Sequence, residues 1–307
     1  MNESPTLYFL TGPTAVGKTE LSLRWAETND AEIVSCDSLL FYRGMDIGTA
    51  KPTREELNRV PHHLIDILPV DQPMTIAAYI ERARSCVAEI QSRGKRVLVT
   101  GGSGFYLKAF LAPVVDAVNV PPELREEIER RLSDEGLVPL VQDLRGLNPD
   151  GLGSLDVANP RRVVRALERC RASGRTLAEL KTEFEAQSSA FAEYASRGVC
   201  LTRDTDDLNA RIVRRVDQMI AAGLVEEVRA LLDRGLAQNA SAARSIGYRE
   251  SIALLQGEIS AEEHPALIVK NTKSLVRKQR TWFRNQLSGF AMKAAVDAQP
   301  ETLFAVD

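Results

Sequence analysis

Short apolar runs alternate with amphipathic stretches through the first hundred residues. Leu7-Tyr8-Phe9-Leu10, the run 32–37, the run 62–67 and Arg96-Val97-Leu98-Val99-Thr100 read as buried strands. Residues 20–26 and 74–93 carry helical spacing. The second places Ile76, Tyr79, Ile80, Ala83, Val87 and Ile90 on one face and stops at Gly94. Strands alternating with helices predict an α/β fold, a parallel sheet covered on both faces. In such sheets the segments that follow the strands gather at one edge. The residues after Leu10, Asp37 and Ser103 are therefore expected side by side.

Pro121-Pro122 changes the texture of the chain. Helices are expected over 123–135, 137–147 and 160–173, and Val199-Cys200-Leu201-Thr202 then reads as one more buried strand. A strand after a helical detour makes 121–197 a helical insertion into a core formed by 1–120 and 198–307. The remainder is expected to be helical, over 206–222, 225–234, 248–255 and 261–286.

The first strand runs into Thr11-Gly12-Pro13-Thr14-Ala15-Val16-Gly17-Lys18-Thr19. Strand, Gly-x4-Gly-Lys-Thr, helix is the phosphate-binding loop in the context it requires. Backbone N–H groups close around phosphate oxygens, and the helix N-terminus adds partial positive charge. Lys18 suits a terminal phosphate and the Thr19 hydroxyl suits Mg²⁺. The fold expected is thus a P-loop NTPase-like parallel sheet with an inserted helical domain and a helical C-terminal region.

Composition narrows the picture. With 39 Lys+Arg against 42 Asp+Glu the net charge is −3, so a protein coated in basic charge is excluded and a local basic groove is not. Cys36, Cys86, Cys170 and Cys200 lie far apart without a Cys-x-x-Cys pair, which argues against zinc and disulfides and for the cytoplasm. No run reaches the length of a membrane span.

Further candidates follow the strands. Asp37 is a general base, a Mg²⁺ partner for Thr19, or a turn cap. Gly101-Gly102-Ser103-Gly104 is either a flexible turn or a close backbone approach to substrate, with the Ser103 hydroxyl as a hydrogen-bonding group. The loop 43–52 is long enough to bind substrate. Arg161, Arg165 and Arg169 form one helical stripe with Arg162 beside it, either a solvated face or a footprint for a phosphate backbone. Arg277-Lys278-Gln279-Arg280-Thr281-Trp282-Phe283-Arg284 mixes cations with aromatics, which suits single-stranded nucleic acid or an ordinary core face. Arg211 and Arg215 share a face, either to neutralise a departing phosphate or as surface charge.

Taken in order, Gly12–Thr19, Asp37-Ser38, the segment 42–52, 62–66, 101–106, Arg165–Glu168, Gly223-Leu224 with Glu226-Glu227-Val228, Ile246-Gly247-Tyr248 and 279–284 resemble the tRNA dimethylallyltransferases, also called tRNA isopentenyltransferases. The resemblance implies that the loop (Gly12, Thr14, Ala15, Val16, Gly17, Lys18, Thr19) holds the diphosphate of dimethylallyl diphosphate with Mg²⁺ at Thr19. The acceptor would be the exocyclic amine of the adenosine just 3′ of the anticodon, in tRNAs reading codons that begin with U. Asp37 would take the proton, while Lys18 and Arg215 stabilise the leaving pyrophosphate and Ser103 assists. Implied contacts with the anticodon stem-loop are Asp37, Ser38, Leu39, Leu40, Ser103, Arg125, Arg161, Arg162 and Arg165. Toward the C-terminus they are Arg244, Gly247, Tyr248, Arg249, Arg277, Lys278, Gln279, Arg280 and Arg284. Ser103 stands where the family usually has Thr, and Leu40 where many members have Gln. A monomer is expected. The competing readings are a small-molecule P-loop enzyme (a kinase or an isopentenyltransferase of free adenine nucleotides) and a non-catalytic RNA-binding protein.

Overall fold

The computed structural model describes residues 4–305. Six strands form one parallel sheet: β1 (Thr6–Thr11), β2 (Ala31–Ser35), β3 (His62–His63), β4 (Arg96–Gly101), β5 (Ala195–Thr202) and β6 (Ala291–Ala294), in the order β3-β2-β4-β1-β5-β6. The crossover helices are α1 (Lys18–Thr28), α2 (Arg54–Arg59), α3 (Ile76–Ser92) and α4 (Gly104–Leu111). After β5 come α9 (Thr205–Ala221), α10 (Leu224–Asp233), α11 (Ala240–Ala243), α12 (Tyr248–Leu255) and α13 (Glu263–Gln286).

Side chains alternate across a strand, so each strand supplies both faces. Leu7, Phe9, Val34, Val97 and Val99 turn to one side, where Tyr79, Val87 and Ile90 of α3 and Phe110 of α4 cover them. Leu10, Ile33, Leu98, Val199 and Leu201 turn to the other, against Leu21, Leu23 and Trp25 of α1 and Phe304. Each such burial contributes about 1.5–3 kcal/mol, and with both faces covered the strands read as near-continuous apolar runs.

The chain divides into two compact units, residues 1–111 with 190–307, and residues 112–189. The second holds α5 (Pro122–Glu135), α6 (Leu137–Gly146), α7 (Pro160–Ser173) and α8 (Leu177–Glu185) around its own core of Ile128, Leu140, Leu144, Val163, Leu167 and Leu180. Its divisions differ from the expected 121–197. Phe191 stacks on Phe110 with centroids 4.4 Å apart, and Ala195–Gly198 already pair with β1, so 190–197 belongs to the sheet unit.

Two expectations are corrected. The strand expected over 62–67 stops after His63. Leu64 and Asp66 take φ of 62° and 55°, and the chain turns to bond the neighbouring loop, Asp66 N–H donating to Leu40 O and Leu68 N–H to Phe41 O. The region after β5 is not wholly helical, because β6 pairs in parallel along the edge of β5. Its four residues, Ala-Met-Lys-Ala, carry no β-branched signal.

Gly101 ends β4 at a close approach. A Cβ there would lie 2.6 Å from Cys36 Sγ and 2.7 Å from the Cys36 carbonyl carbon. Gly101→Ala should therefore destabilise the sheet unit by about 1–3 kcal/mol through overpacking. The change is read as a lower urea midpoint by fluorescence of Trp25 and Trp282, which both lie in this unit.

Candidate active site

The loop after β1 takes a backbone that most side chains avoid: φ is 145° at Gly12, 62° at Ala15 and 110° at Gly17. Four of its carbonyls accept from cationic side chains. Lys18 Nζ donates to Gly12 O (2.8 Å) and Pro13 O (3.0 Å), Arg211 Nε to Ala15 O (2.8 Å) and Arg203 Nε to Val16 O (3.0 Å). Gly17 caps α1 without a side-chain bond, so the first N–H groups of the helix stay open to an anion. Burial lowers the Lys18 pKa from 10.5 to about 8, with the nearby Asp37 carboxylate pulling the other way and Arg215 adding to the fall.

The carboxyl ends of β1, β2 and β4 bring Gly12–Thr19, Asp37 and Ser103 to one sheet edge. Asp37 Oδ1 accepts from Leu39 N–H (3.0 Å), so it does form the turn cap. The cap does not remove it from the site, since Asp37 also lines two adjoining cavities. Ser103 Oγ accepts from Ser38 N–H and donates to Ser38 Oγ, both at 3.1 Å, which ties the Gly101–Gly104 turn to the residue after Asp37.

One cavity, of about 570 Å³, is polar and contains Lys18, Thr19, Ser35, Leu40, Arg211, Arg214 and Arg215. The other, of about 550 Å³, is walled by Leu39, Ile212, Val216, Met219, Ile268 and Trp282. They share Thr14, Asp37, Thr49, Gly102, Arg215 and Gln279. Arg215 Nη2 donates to Thr49 O (3.0 Å), and burial lowers its pKa while Asp37 opposes the shift. Thr49 belongs to the long loop after Tyr42. That loop is fixed by the buried Lys51, which donates to Tyr42 O (3.0 Å) and pairs with Asp46 (2.6 Å) and Asp66.

Several residues stand elsewhere than sequence reasoning put them. Tyr248 is 0% exposed, its hydroxyl donating to Glu227 Oε1 at 2.7 Å, so its side chain is closed to RNA. Gly247 is buried, and its N–H donates to Glu250 Oε2 (2.7 Å). Arg280 is spent on the sheet unit, donating to Thr205 Oγ1 (3.0 Å) and Arg203 O (2.7 Å). Gln279 is a clamp: its Oε1 accepts from Thr14 N–H (3.0 Å) and its Nε2 donates to Gly102 O (2.9 Å). Arg169 leaves the expected stripe to pair with Asp116 (2.5 Å), whereas Arg161, Arg162 and Arg125 are exposed, as is Arg165, which keeps one contact to the buried Glu168 (3.3 Å). Arg244, Arg249, Arg277, Lys278 and Arg284 are exposed. Arg244 and Lys278 line the apolar cavity, and Arg249 Nε donates to Glu250 (2.6 Å). Sequence reasoning missed Arg203, whose signal was its place just past the end of β5.

A parallel sheet whose first strand feeds this loop, with an acid and an arginine beside it, defines an α/β protein with a P-loop-like fold. Within that class the chain belongs to the IPP transferase family, whose model matches residues 40–286. It is 59% identical to the tRNA dimethylallyltransferase of Opitutus terrae over 93% of this chain and 92% of that protein. Over 92% of each chain it is 41% identical to tRNA dimethylallyltransferase 1 of Trichlorobacter lovleyi. Among solved structures, the tRNA isopentenylpyrophosphate transferase of Bacillus halodurans superposes with a TM-score of 0.68 at 34% identity, covering 94% of this chain and 90% of its own. A eukaryotic dimethylallyltransferase acting on tRNA gives a TM-score of 0.83 over 98% of this chain and 77% of its own; at 21% identity that likeness concerns the fold. Among the described residues no helix is long and apolar enough to cross a membrane.

The depressed Lys18 pKa has a measurable sign. Above a pH of about 8 the empty site holds Lys18 largely neutral, and an incoming anion favours its charged form. Pyrophosphate binding above that pH should therefore take up close to one proton at Lys18. Lys18→Arg, charged throughout, should lack that uptake. Calorimetry in buffers of differing ionisation enthalpy reads the difference between the two proteins, and equal uptake would contradict the assignment.

Proposed function

We propose that the protein transfers a dimethylallyl group from dimethylallyl diphosphate to the exocyclic amine of the adenosine 3′-adjacent to the anticodon, in tRNAs reading codons that begin with U. The observation that carries this reading is the meeting of a polar and an apolar cavity at Asp37 and Arg215. The diphosphate belongs in the polar one, against the open N–H groups of α1, Lys18 and Arg215. The unstacked base belongs in the apolar one, at an unstacking cost of roughly a few kcal/mol. The allylic carbon then lies where the cavities join.

The amine nitrogen attacks that carbon, the carbon–oxygen bond to diphosphate breaks, and the amine proton passes to Asp37. Negative charge building on the departing oxygens is met by Lys18, Arg215 and Arg211. The Leu39 N–H on Asp37 Oδ1 orients the carboxylate, and the Ser103–Ser38 pair holds the turn against it. Apolar walls keep water from the cation-like carbon.

Among the described residues no three His, Cys, Asp or Glu side chains gather to hold a metal. The Thr19 hydroxyl, on the polar cavity, is a hard oxygen donor of the kind that suits Mg²⁺ bound chiefly through substrate phosphates. Bound there, Mg²⁺ would neutralise charge on the diphosphate. Leu40 lines the same cavity, beside the proposed diphosphate.

For tRNA the inserted unit offers Arg161, Arg162 and Arg165 in the first two turns of α7, with Arg125 on α5. No acid stands in the first turn of α7, and cations there oppose the helix dipole by about 0.3–1 kcal/mol each. An anion held at that end would relieve the conflict, which favours a phosphate-backbone footprint over plain surface charge. The similarity to proteins named tRNA dimethylallyltransferase supports this reading over a kinase or a free-nucleotide enzyme. A monomer working in the cytoplasm completes it.

Labelled dimethylallyl diphosphate offered with unmodified tRNA, AMP and ATP in parallel tests the proposal, and transfer to AMP or ATP in preference to tRNA would refute it. Asp37→Ala should bind tRNA nearly as wild type while losing about 10²–10⁴-fold in single-turnover rate. A rate within about threefold of wild type would leave Asp37 as a cap alone.

Salt dependence separates the arginines. Arg165→Ala should flatten the slope of log affinity for tRNA against log salt by roughly one unit. Arg280→Ala, whose half-buried guanidinium is held by Thr205 Oγ1 and Arg203 O, should leave the slope unchanged. Filter binding at several salt concentrations measures both, and equal slopes for wild type and Arg165→Ala would make α7 a solvated face.

A further inference from the structure

Glu227, on α10, makes a contact that the reaction as derived above does not use. Its Oε2 accepts from Asp46 N–H (3.0 Å) and Ile47 N–H (2.7 Å). Its Oε1 accepts from Gly48 N–H (3.1 Å) and from the Tyr248 hydroxyl (2.7 Å). Three successive backbone N–H groups pointing at one carboxylate form an anion nest, filled here by the protein itself. The Tyr248 ring completes the closure: a Cβ at Gly48 would lie 2.5 Å from Tyr248 Cε2, so only a bare backbone lets the ring lie flat there. Burial and the Glu227 carboxylate together push the Tyr248 pKa well up, which keeps its hydroxyl a donor.

The residue that follows this nest is Thr49. Its hydroxyl donates back to Met45 O (2.7 Å), and its carbonyl accepts from Arg215 Nη2 (3.0 Å). A chain of contacts therefore runs from the Glu227 carboxylate through three amides to one carbonyl, and from that carbonyl to the guanidinium between the cavities. Arg215 is largely buried, and Thr49 O fixes one edge of its planar fork while the rest stays available to an anion.

We propose that Glu227, with Tyr248, is a positioning residue: it fixes residues 46–49 so that the Thr49 carbonyl aims Arg215 at the diphosphate. The inference rests on the diphosphate assignment above and extends it to a carboxylate that never meets substrate. Four donors on one carboxylate are more than packing requires, and charge-assisted bonds are roughly twice as strong as neutral ones. Glu227→Gln keeps the shape but turns an NH₂ group toward N–H or O–H donors, so at least one bond becomes a donor–donor clash. Tyr248→Phe removes one of the four donors and leaves the three amides bound.

A double-mutant cycle in the full-length chain tests this, read in affinity for inorganic pyrophosphate, which does not depend on the acceptor. Glu227→Gln should weaken pyrophosphate roughly 10–100-fold, the range seen when partners that orient a ligand-holding group are lost. Tyr248→Phe should give a smaller loss in the same direction. In an Arg215→Ala background both changes should cost less than about twofold, because the residue they aim is gone. Affinity for a tRNA transcript should stay within about twofold in all variants. A loss of equal size with and without Arg215 would make Glu227 a structural brace and overturn the proposal, as would unchanged pyrophosphate affinity in Glu227→Gln. If Glu227→Gln does not fold, the Tyr248→Phe cycle decides by the same criterion. Failure of the wild type to prenylate tRNA would refute the function proposed above, while the pyrophosphate cycle would still decide the role of Glu227.

Discussion

The capture of the phosphate-loop carbonyls by cations is the constraint on which the rest of the site depends. A loop with three residues at positive φ turns its carbonyls away from its amides, and those carbonyls need donors of their own. Lys18, Arg203 and Arg211 supply them. The amides at the start of α1 are thereby left facing a cavity, preorganised before any anion arrives. The same three cations place positive charge behind and beside the loop. That charge is costly in an empty site, as the lowered pKa of Lys18 records, and it is relieved when phosphate enters.

This arrangement explains why the polar and apolar cavities touch at Asp37. The sheet fixes Asp37 by geometry, at the end of β2 beside β4, while α9 and α13 bring Arg215 and Gln279 from the far end of the sequence. Gln279 bonds both the phosphate loop and the Gly101–Gly104 turn, so it bridges the two sheet segments between which a reacting carbon would lie. Trp282, three residues on and on the same helical face, rests against Gly104, where a Cβ would meet its ring at 2.6 Å. One helix thus sets the polar clamp and the apolar wall in register.

What was legible in the sequence was what has a local cause. The β1 strand, the loop and α1 follow from apolar runs and glycines within a few residues of one another, and the gathering at one sheet edge follows from topology alone. Residues that act through distant partners were not legible. Arg280 and Arg284 look alike in sequence, yet the first bonds the start of α9 and the second is exposed. Tyr248 is implied as a tRNA contact by the resemblance, yet its hydroxyl lies on Glu227. The run His62–Ile67 has strand composition, but a bond from Asp66 to Leu40 O bends it after two residues. In each case a tertiary contact, which no local pattern records, decided where the residue stands.

The division of labour along the chain also has a physical basis. The segment up to α4 builds the cradle: loop, Asp37 and the Ser103 turn. Arg203, Arg211, Arg215, Glu227 and Gln279, which complete it, all come after the inserted unit in sequence. A sheet edge alone offers amides and one carboxylate, which suffices to hold phosphate. The proposed transfer, which needs charge aimed at a departing diphosphate and water kept from an allylic carbon, would call for rigid helices carrying arginines and apolar side chains over that edge. The inserted segment can be long and self-contained because both of its chain ends return to the sheet unit, at Leu111 and Ala190, where Phe110 stacks on Phe191 beside them. The insertion then adds an arginine-bearing helix to the chain without disturbing the register of β1 against β5, on which the position of Arg203 and the start of α9 depend.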